Sequence, residues 1–219
     1  MLVGSAGCCS SQVFVYLAAL CLLPRLCLSF SLENEGNNNR LVPRRFGKEQ
    51  DDIERYTEKG SEKFSRYFPY DLDDWQLQAG GAICEGCNVV LCAPTGAGKT
   101  VVGEMALHRA MDEGKKGIYT TPLKALSNQK YRDLTKIFGT VGLSTGDISL
   151  NRGSRVTVMT TEVYRNIAWR SNQTSPIMKA DELSENAIVV LDELHYMGLP
   201  GRGGVWEESI ITSPPHTQI

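Results

Sequence analysis

From residue 72 onward, apolar and polar positions alternate between a helical period and short buried runs. Leu72–Cys84 places Leu72, Trp75, Leu77, Ala79 and Ile83 at helical spacing. The run Asn88–Cys92 (NVVLC) predicts a short strand, and the glycines at 96 and 98 a turn. Lys99–Met111 predicts a helix with Val102, Met105, Ala106 and Leu107 near one face, closed by Gly114. Gly117–Thr121 reads as a strand and Lys124–Phe138 as a helix. Val141–Ser144 and Arg155–Thr160 read as strands, Glu162–Trp169 as a helix, and Ala187–Leu191 as a strand. The last is apolar throughout, as expected where both sheet faces are covered. Strands separated by helices predict an α/β domain of three layers with a mostly parallel sheet.

The N-terminal part follows another pattern. Val13–Leu23 is an unbroken apolar run of 11 residues in a segment without acidic residues. That is short of the roughly 20 needed to span a bilayer, but it fits the apolar region of a signal segment. Residues 1–29 are therefore expected to be a targeting segment, with the small pair Cys27 and Ser29 placing cleavage before Phe30. A polar, charge-dense stretch follows and predicts a disordered linker over 30–66, leaving the folded domain at 67–219. No stable membrane span is expected.

Composition adds little beyond a globular class. The 219 residues are 42% hydrophobic and 22% charged, with a formal net charge of −2. A broad basic nucleic-acid surface is not indicated, although backbone amides and helix N-termini hold phosphates without net positive charge. Of the seven cysteines, Cys84 and Cys87 form a CxxC without a second pair, weak support for zinc. Cys87 and Cys92 flank the strand at 88–92 and read as small packing residues.

The chemistry is concentrated in two motifs. Ala93-Pro94-Thr95-Gly96-Ala97-Gly98-Lys99-Thr100 follows a strand and opens a helix, the setting of a phosphate loop. Its glycines let successive N–H groups turn inward toward phosphate oxygens, and the helix N-terminus adds a favourable dipole. Lys99 can reach the β- and γ-phosphates of ATP, and the Thr100 hydroxyl can ligate Mg²⁺. Ala93 stands where the general pattern has glycine. The second motif, Asp192-Glu193, ends the strand Ala187–Leu191, where parallel-sheet proteins bind ligands. Asp192 would hold Mg²⁺, Glu193 would orient and deprotonate the attacking water, and His195 could couple the site to a neighbouring domain.

The run DELHYMGLPGRGGVWEESII (Asp192–Ile211) resembles superfamily-two DExH helicases, in particular the superkiller and exosome-cofactor type of RNA helicase and its organellar plant relatives. Leu194 stands where that family has valine. Phe68–Gln76 (FPYDLDDWQ) resembles its adenine-contacting segment, with Gln76 in the glutamine position. TPLKALSNQK (Thr121–Lys130), STGD (Ser144–Asp147) and TTEVYRN (Thr160–Asn166) resemble its nucleic-acid motifs. The resemblance implies a RecA-like first lobe, C-terminally truncated, that binds ATP and Mg²⁺. Thr121, Pro122, Lys124, Gly146, Asp147, Thr160 and Thr161 would touch RNA by sugar and phosphate rather than by base. It further implies a place in an RNA-processing or ribosome-associated complex, and the basic, polar stretch behind the apolar run resembles the two-part address of proteins entering plastids, with another organelle or entry into the secretory pathway as the alternatives. The expected strand ending in Ser-Ala-Thr and the second lobe do not follow, so this chain alone is expected to hydrolyse ATP poorly. Three other readings remain at this stage: a related DNA helicase, a non-catalytic nucleic-acid or ATP-binding module, and another P-loop enzyme such as a nucleotide kinase.

Overall fold

A computed structural model of the chain describes residues 26–35, 38–44, 50–173, 187–199, 201 and 203–219. For 26–35 and 38–44 it gives the backbone course alone. The apolar run Val13–Leu23 lies outside the described residues.

A five-stranded sheet is ordered β6-β5-β7-β4-β8. Its strands are β4 (Lys116–Thr121), β5 (Val141–Ser144), β6 (Ser149–Leu150), β7 (Val156–Thr160) and β8 (Ala187–Leu191). All pairings are parallel except β5 with the short edge strand β6. A second sheet of three strands is ordered β2-β1-β3, formed by β1 (Leu26–Glu35), β2 (Asn38–Arg44) and β3 (Asn88–Val90). Gln218 and Ile219 stitch the two sheets together. Gln218 pairs in parallel with Ile188, and Val89 N–H donates to the Ile219 carbonyl at 3.0 Å. The Gln218 side chain donates to the carbonyls of Ile83 and Cys87 and accepts from Arg109, which satisfies a largely buried guanidinium.

Helices cover both faces of the larger sheet, giving the expected three layers. They are α1 (Gln50–Phe64), α2 (Asp74–Cys84), α3 (Lys99–Asp112), α4 (Lys124–Phe138), α5 (Thr161–Gln173) and α6 (Gly203–Ile211). Alternation along β4 sets the faces. Tyr119 packs with Leu107 of α3 and Leu134 of α4. Ile118 points the other way, to Tyr164, Ile167 and Ala168 of α5. The helix and strand expectations hold, with shifted ends: β3 is shorter than 88–92, and α5 runs on to Gln173. One packing expectation fails. Cys87 is buried, with its sulfur 3.9 Å from the Tyr56 hydroxyl, but Cys92 is exposed because β3 ends at Val90.

The expectation of a disordered linker over 30–66 is also corrected. Residues 50–64 form α1, which lies across α2 and buries Tyr56 and Phe64. A charge-dense helix cannot fold alone, but it needs only one apolar stripe when a neighbour supplies the other wall. The crossing is close because it is made through glycine. A Cβ at Gly81 would sit 2.0 Å from the Tyr56 carbonyl oxygen, and one at Gly60 would sit 1.9 Å from that of Leu77. The end of α1 is pinned to α3 by polar and aromatic contacts. Lys63 and Arg66 pair with Asp112, and Tyr67 donates to the same carboxylate at 2.7 Å. The Tyr67 ring stacks on His108 with centroids 4.0 Å apart, and Phe68 and Phe138 close over the imidazole.

Two predictions follow from this junction. Gly81→Ala should destabilise the fold by about 1–3 kcal/mol through overpacking, despite the better helix propensity of alanine. Gly204→Ala, at an exposed position of α6 with nothing within 4 Å, should be neutral or slightly stabilising. Denaturant midpoints measure both. The second prediction concerns pH. Burial lowers the His108 pKa below 6.5, with a smaller opposing pull from Asp112. The unfolded chain therefore takes up that proton first, and stability present above about pH 6.5 declines as pH falls toward the folded-state value. For Asp112, burial acts upward but is outweighed by Lys63 and Tyr67, so its pKa lies below 3.8. Its contribution is present above that value and is lost below it. Thermal midpoints against pH should thus fall in two steps, and His108→Asn should remove the first.

Candidate active site

The phosphate loop leaves β3 and enters α3. Gly96 and Gly98 take left-handed backbone angles, φ +84° and +85°, which only glycine adopts without strain. Lys99 folds back and donates to the carbonyls of Ala93 at 2.7 Å and Pro94 at 2.8 Å. Pro94, Thr95 and Gly96 are exposed, and Ala97, Gly98, Lys99 and Thr100 are half-buried. Gln76 is held in a capping box at the start of α2, its carbonyl accepting from Asp73 N–H at 2.9 Å. Its amide then donates to the Gly98 carbonyl at 3.3 Å. A Cβ on Gly98 would lie 2.6 Å from that amide nitrogen, so glycine there also makes room for Gln76. Phe68, Pro69, Tyr70, Asp71 and Leu72 line an open cleft of about 430 Å³ just before α2, together with Ser61, Ser65 and Leu77.

Parallel register brings the second motif to the same rim. Thr120 of β4 lies opposite Leu191 of β8, so Asp192 emerges at the carboxyl end, its N–H on the Thr120 carbonyl at 3.2 Å. Both Asp192 oxygens are fixed. Oδ2 accepts from the Tyr119 hydroxyl at 2.8 Å, and Oδ1 accepts from Glu193 N–H at 2.9 Å. Burial, and then the adjacent Asp192 charge, push the Tyr119 pKa far up, so that hydroxyl remains a donor. Glu193 adopts φ +56°, a left-handed conformation that costs a non-glycine residue about 1–3 kcal/mol. Its carboxylate meets His195 Nδ1 at 3.2 Å.

Sequence reasoning missed Tyr119 and Lys130 as site residues. Lys130 of α4 donates to Thr100 Oγ1 at 3.1 Å, and its nitrogen lies 5.4 Å from the Tyr119 ring centre. A chain of contacts therefore runs from Thr100 through Lys130 and Tyr119 to Asp192. A tyrosine amid an apolar strand carries no polar signal, which is why GIYTT reads as packing alone. Glu104, one turn beyond Thr100, has a raised pKa, chiefly through burial and partly offset by Lys130.

The residues fit a magnesium nucleotide. Mg²⁺ takes only one or two protein oxygens beside phosphates and water. Thr100 and Asp192 offer a hydroxyl and a carboxylate on one rim, and the left-handed glycines open the loop. Among the described residues no cluster of three His, Cys, Asp or Glu could hold a metal.

The residues expected to touch nucleic acid reach the same rim but divide by exposure. Thr121 pairs with Thr160 across β4 and β7. Thr121, Thr160 and Thr161 are buried. The Thr121 hydroxyl is 2.7 Å from Ser127 Oγ, and Thr161 donates to the Thr121 carbonyl at 3.2 Å. The hydroxyls of Thr121 and Thr161 hold the loops in shape. Pro122 is buried beside them. Lys124, Gly146 and Asp147 are exposed, and Lys124 pairs with Asp147.

With this geometry in place, similarity to known proteins becomes informative. The family model for the DEAD/DEAH box helicase matches residues 73–219. The chain belongs to the DEAD/DEAH box helicase family. It is 47% identical over 160 residues to "Probable helicase HelY" of Mycobacterium tuberculosis, covering 72% of this chain and 17% of that protein. To the "ATP-dependent RNA helicase mtr4" of Schizosaccharomyces pombe it is 43% identical over 150 residues, 68% of this chain and 13% of that one. To the "DExH-box ATP-dependent RNA helicase DExH15 chloroplastic" of Arabidopsis thaliana it is 39% identical over 182 residues, 82% of this chain and 15% of that one. The chain thus spans well under a fifth of the length of these relatives. A crystal structure of the DUF1998 helicase MrfA bound to DNA and AMPPNP superposes with a TM-score of 0.51 at 16% identity, covering 94% of this chain and 29% of that one. That likeness speaks for the fold, a RecA-like helicase domain. Family membership excludes the nucleotide-kinase reading.

The hydrogen bond beneath Asp192 yields a further prediction. Tyr119→Phe removes a buried donor to a carboxylate, an interaction worth about 1.5–3 kcal/mol. The loss of unfolding free energy should fall at the lower end of that range, because half-exposed Asp192 can take water instead. Urea unfolding of the variant beside the parent measures it.

Proposed function

We propose that this chain is the ATP-binding first lobe of an ATP-dependent RNA helicase, coupling ATP hydrolysis to unwinding or remodelling of RNA in a longer protein. The observation that carries the reading is the convergence of four segments, three at the carboxyl ends of strands of the five-stranded sheet and the fourth in the loop after β3 of the smaller sheet, joined to them through Lys130 and Tyr119. These are Lys99–Thr100, Asp192–Glu193, the start of α4 with Lys124, and the Gly146–Asp147 turn. Lys99 would exchange its two loop carbonyls for the β- and γ-phosphates, with the loop N–H groups and the start of α3 beside them. Gln76, which touches the loop at Gly98, would receive the base, with the Phe68–Leu72 segment leading into it. Mg²⁺, held by Thr100 and Asp192, would neutralise developing phosphate charge. Tyr119 orients Asp192, and strained Glu193 is placed to orient and deprotonate water. His195, against the Glu193 carboxylate, would report that state to a neighbouring domain.

RNA is favoured over DNA because mtr4 and DExH15 are named RNA helicases. Contact would run through backbone amides and through Lys124, Gly146 and Asp147, with the buried Thr121, Thr160 and Thr161 shaping the loops and Pro122 beginning the turn into α4. The chloroplastic relative and the acid-free N-terminal segment support a plastid location, and the kind of relative supports work within an RNA-processing or ribosome-associated complex. The arginines that stabilise the transferring phosphoryl group would come from a second lobe of the longer protein.

The test is ATP binding and steady-state hydrolysis by the chain, with and without single-stranded RNA. Lys99→Ala should weaken nucleotide binding at least about tenfold, and Glu193→Gln should keep binding while removing residual turnover. Nucleotide binding indifferent to Lys99 would overturn the site assignment. Binding without any Glu193-dependent turnover in the longer protein would favour a non-catalytic module.

A further inference from the structure

Lys130 is a half-buried ammonium outside the phosphate loop that contacts the loop's Thr100. It stems from the middle of α4, crosses the face of Tyr119, and donates to Thr100 Oγ1. Thr100 is the residue whose hydroxyl oxygen would ligate a divalent cation. An oxygen that accepts from an ammonium cannot at the same time present the same lone pair to a metal, and two positive charges within one hydrogen-bond radius repel. The acidic group facing Lys130 is Glu104 of α3, and Asp192, just past the end of β8, is held by the hydroxyl of the Tyr119 ring that Lys130 lies over. Asp192 is the other metal ligand candidate. The ammonium therefore occupies one of the oxygens that a nucleotide-bound divalent cation would use.

We propose that Lys130 is a positioning residue that competes with Mg²⁺ for the Thr100 hydroxyl, so that arrival of the metal nucleotide displaces the lysine from Thr100 and shifts the contact of α4 along α3 to Glu104. The proposal rests on the reading of this loop as a Mg²⁺-nucleotide site. Its consequence follows from the helix that Lys130 occupies. The same helix begins with Lys124, whose ion pair with Asp147 closes the exposed part of the rim. Nucleotide state and the posture of that rim are thereby joined through one side chain. Glu104, half-buried one turn from Thr100, is the anion toward which the displaced ammonium would swing. Coupling between two ligands at one site is reciprocal, so Lys130 and Mg²⁺ must weaken each other to the same degree.

The experiment measures the affinity of the full chain for a fluorescent ATP analogue, once with Mg²⁺ and once with EDTA. The quantity read is the ratio of the two dissociation constants, which a purely structural role of Lys130 would leave unchanged. Lys130→Met and Lys130→Gln should both raise the preference for the magnesium form by about tenfold, equivalent to about 1.4 kcal/mol. Lys130→Arg, which keeps the positive charge, should stay within about twofold of the parent. An unchanged or reduced ratio in the Met and Gln variants overturns the proposal. So does a Gln variant that behaves as the parent, because the charge would then be irrelevant. Failure of the parent chain to bind the analogue in a Lys99-dependent way overturns the site reading itself, and the proposal with it.

Discussion

Everything at the functional rim depends on the register of β4 between β7 and β8. Parallel pairing puts Thr121 beside Thr160 and Thr120 beside Leu191, so three strands end at one level. The side-chain alternation of β4 then decides what lies beneath. Tyr119 turns toward α3 and α4, and its hydroxyl, buried among apolar side chains, needs an acceptor. Asp192 is that acceptor. A slip of one residue in β4 would send Tyr119 to the α5 face and leave the carboxylate unheld. Sheet register and active-site geometry are thus one constraint.

The loop and the acidic turn meet that constraint in different ways. Glycines 96 and 98 take the left-handed backbone freely, while Glu193 takes it under strain. The strain at Glu193 is contained by its neighbours: its N–H is tied to Asp192, its carboxylate to His195, and the turn beyond it continues into the 3₁₀ segment Leu194–Gly198. Lys99 is satisfied within the loop by two carbonyls, an arrangement that phosphate oxygens can replace without burying an unpaired charge.

The N-terminal arm departs furthest from expectation, for an energetic reason. Residues 50–64 have the composition of a solvated segment, and nothing local gives them a hydrophobic face broad enough to fold alone. Their stability is supplied by α2, where Gly81 lets the backbones approach and Tyr56 and Phe64 enter the core. The polar staple of Lys63, Arg66 and Tyr67 on Asp112 then fixes where the chain turns toward Gln76. In this way the arm supports the segment that touches the phosphate loop.

The sequence by itself determined the class of fold, most element boundaries and the two acidic and phosphate-binding motifs. Hydrophobic period and local turn chemistry are properties of neighbouring residues: α4, β5 and β8 begin and end where the pattern places them. Tertiary structure alone decided which of those residues face one another. It buried Thr121, Thr160 and Thr161 and left Lys124, Gly146 and Asp147 exposed. It exposed Cys92, folded α1 onto α2, and joined Tyr119 to Asp192 and Lys130 to Thr100. Such pairings join positions dozens of residues apart, and they are set by strand register and by burial of whole helix faces, neither of which leaves a signature in the local pattern.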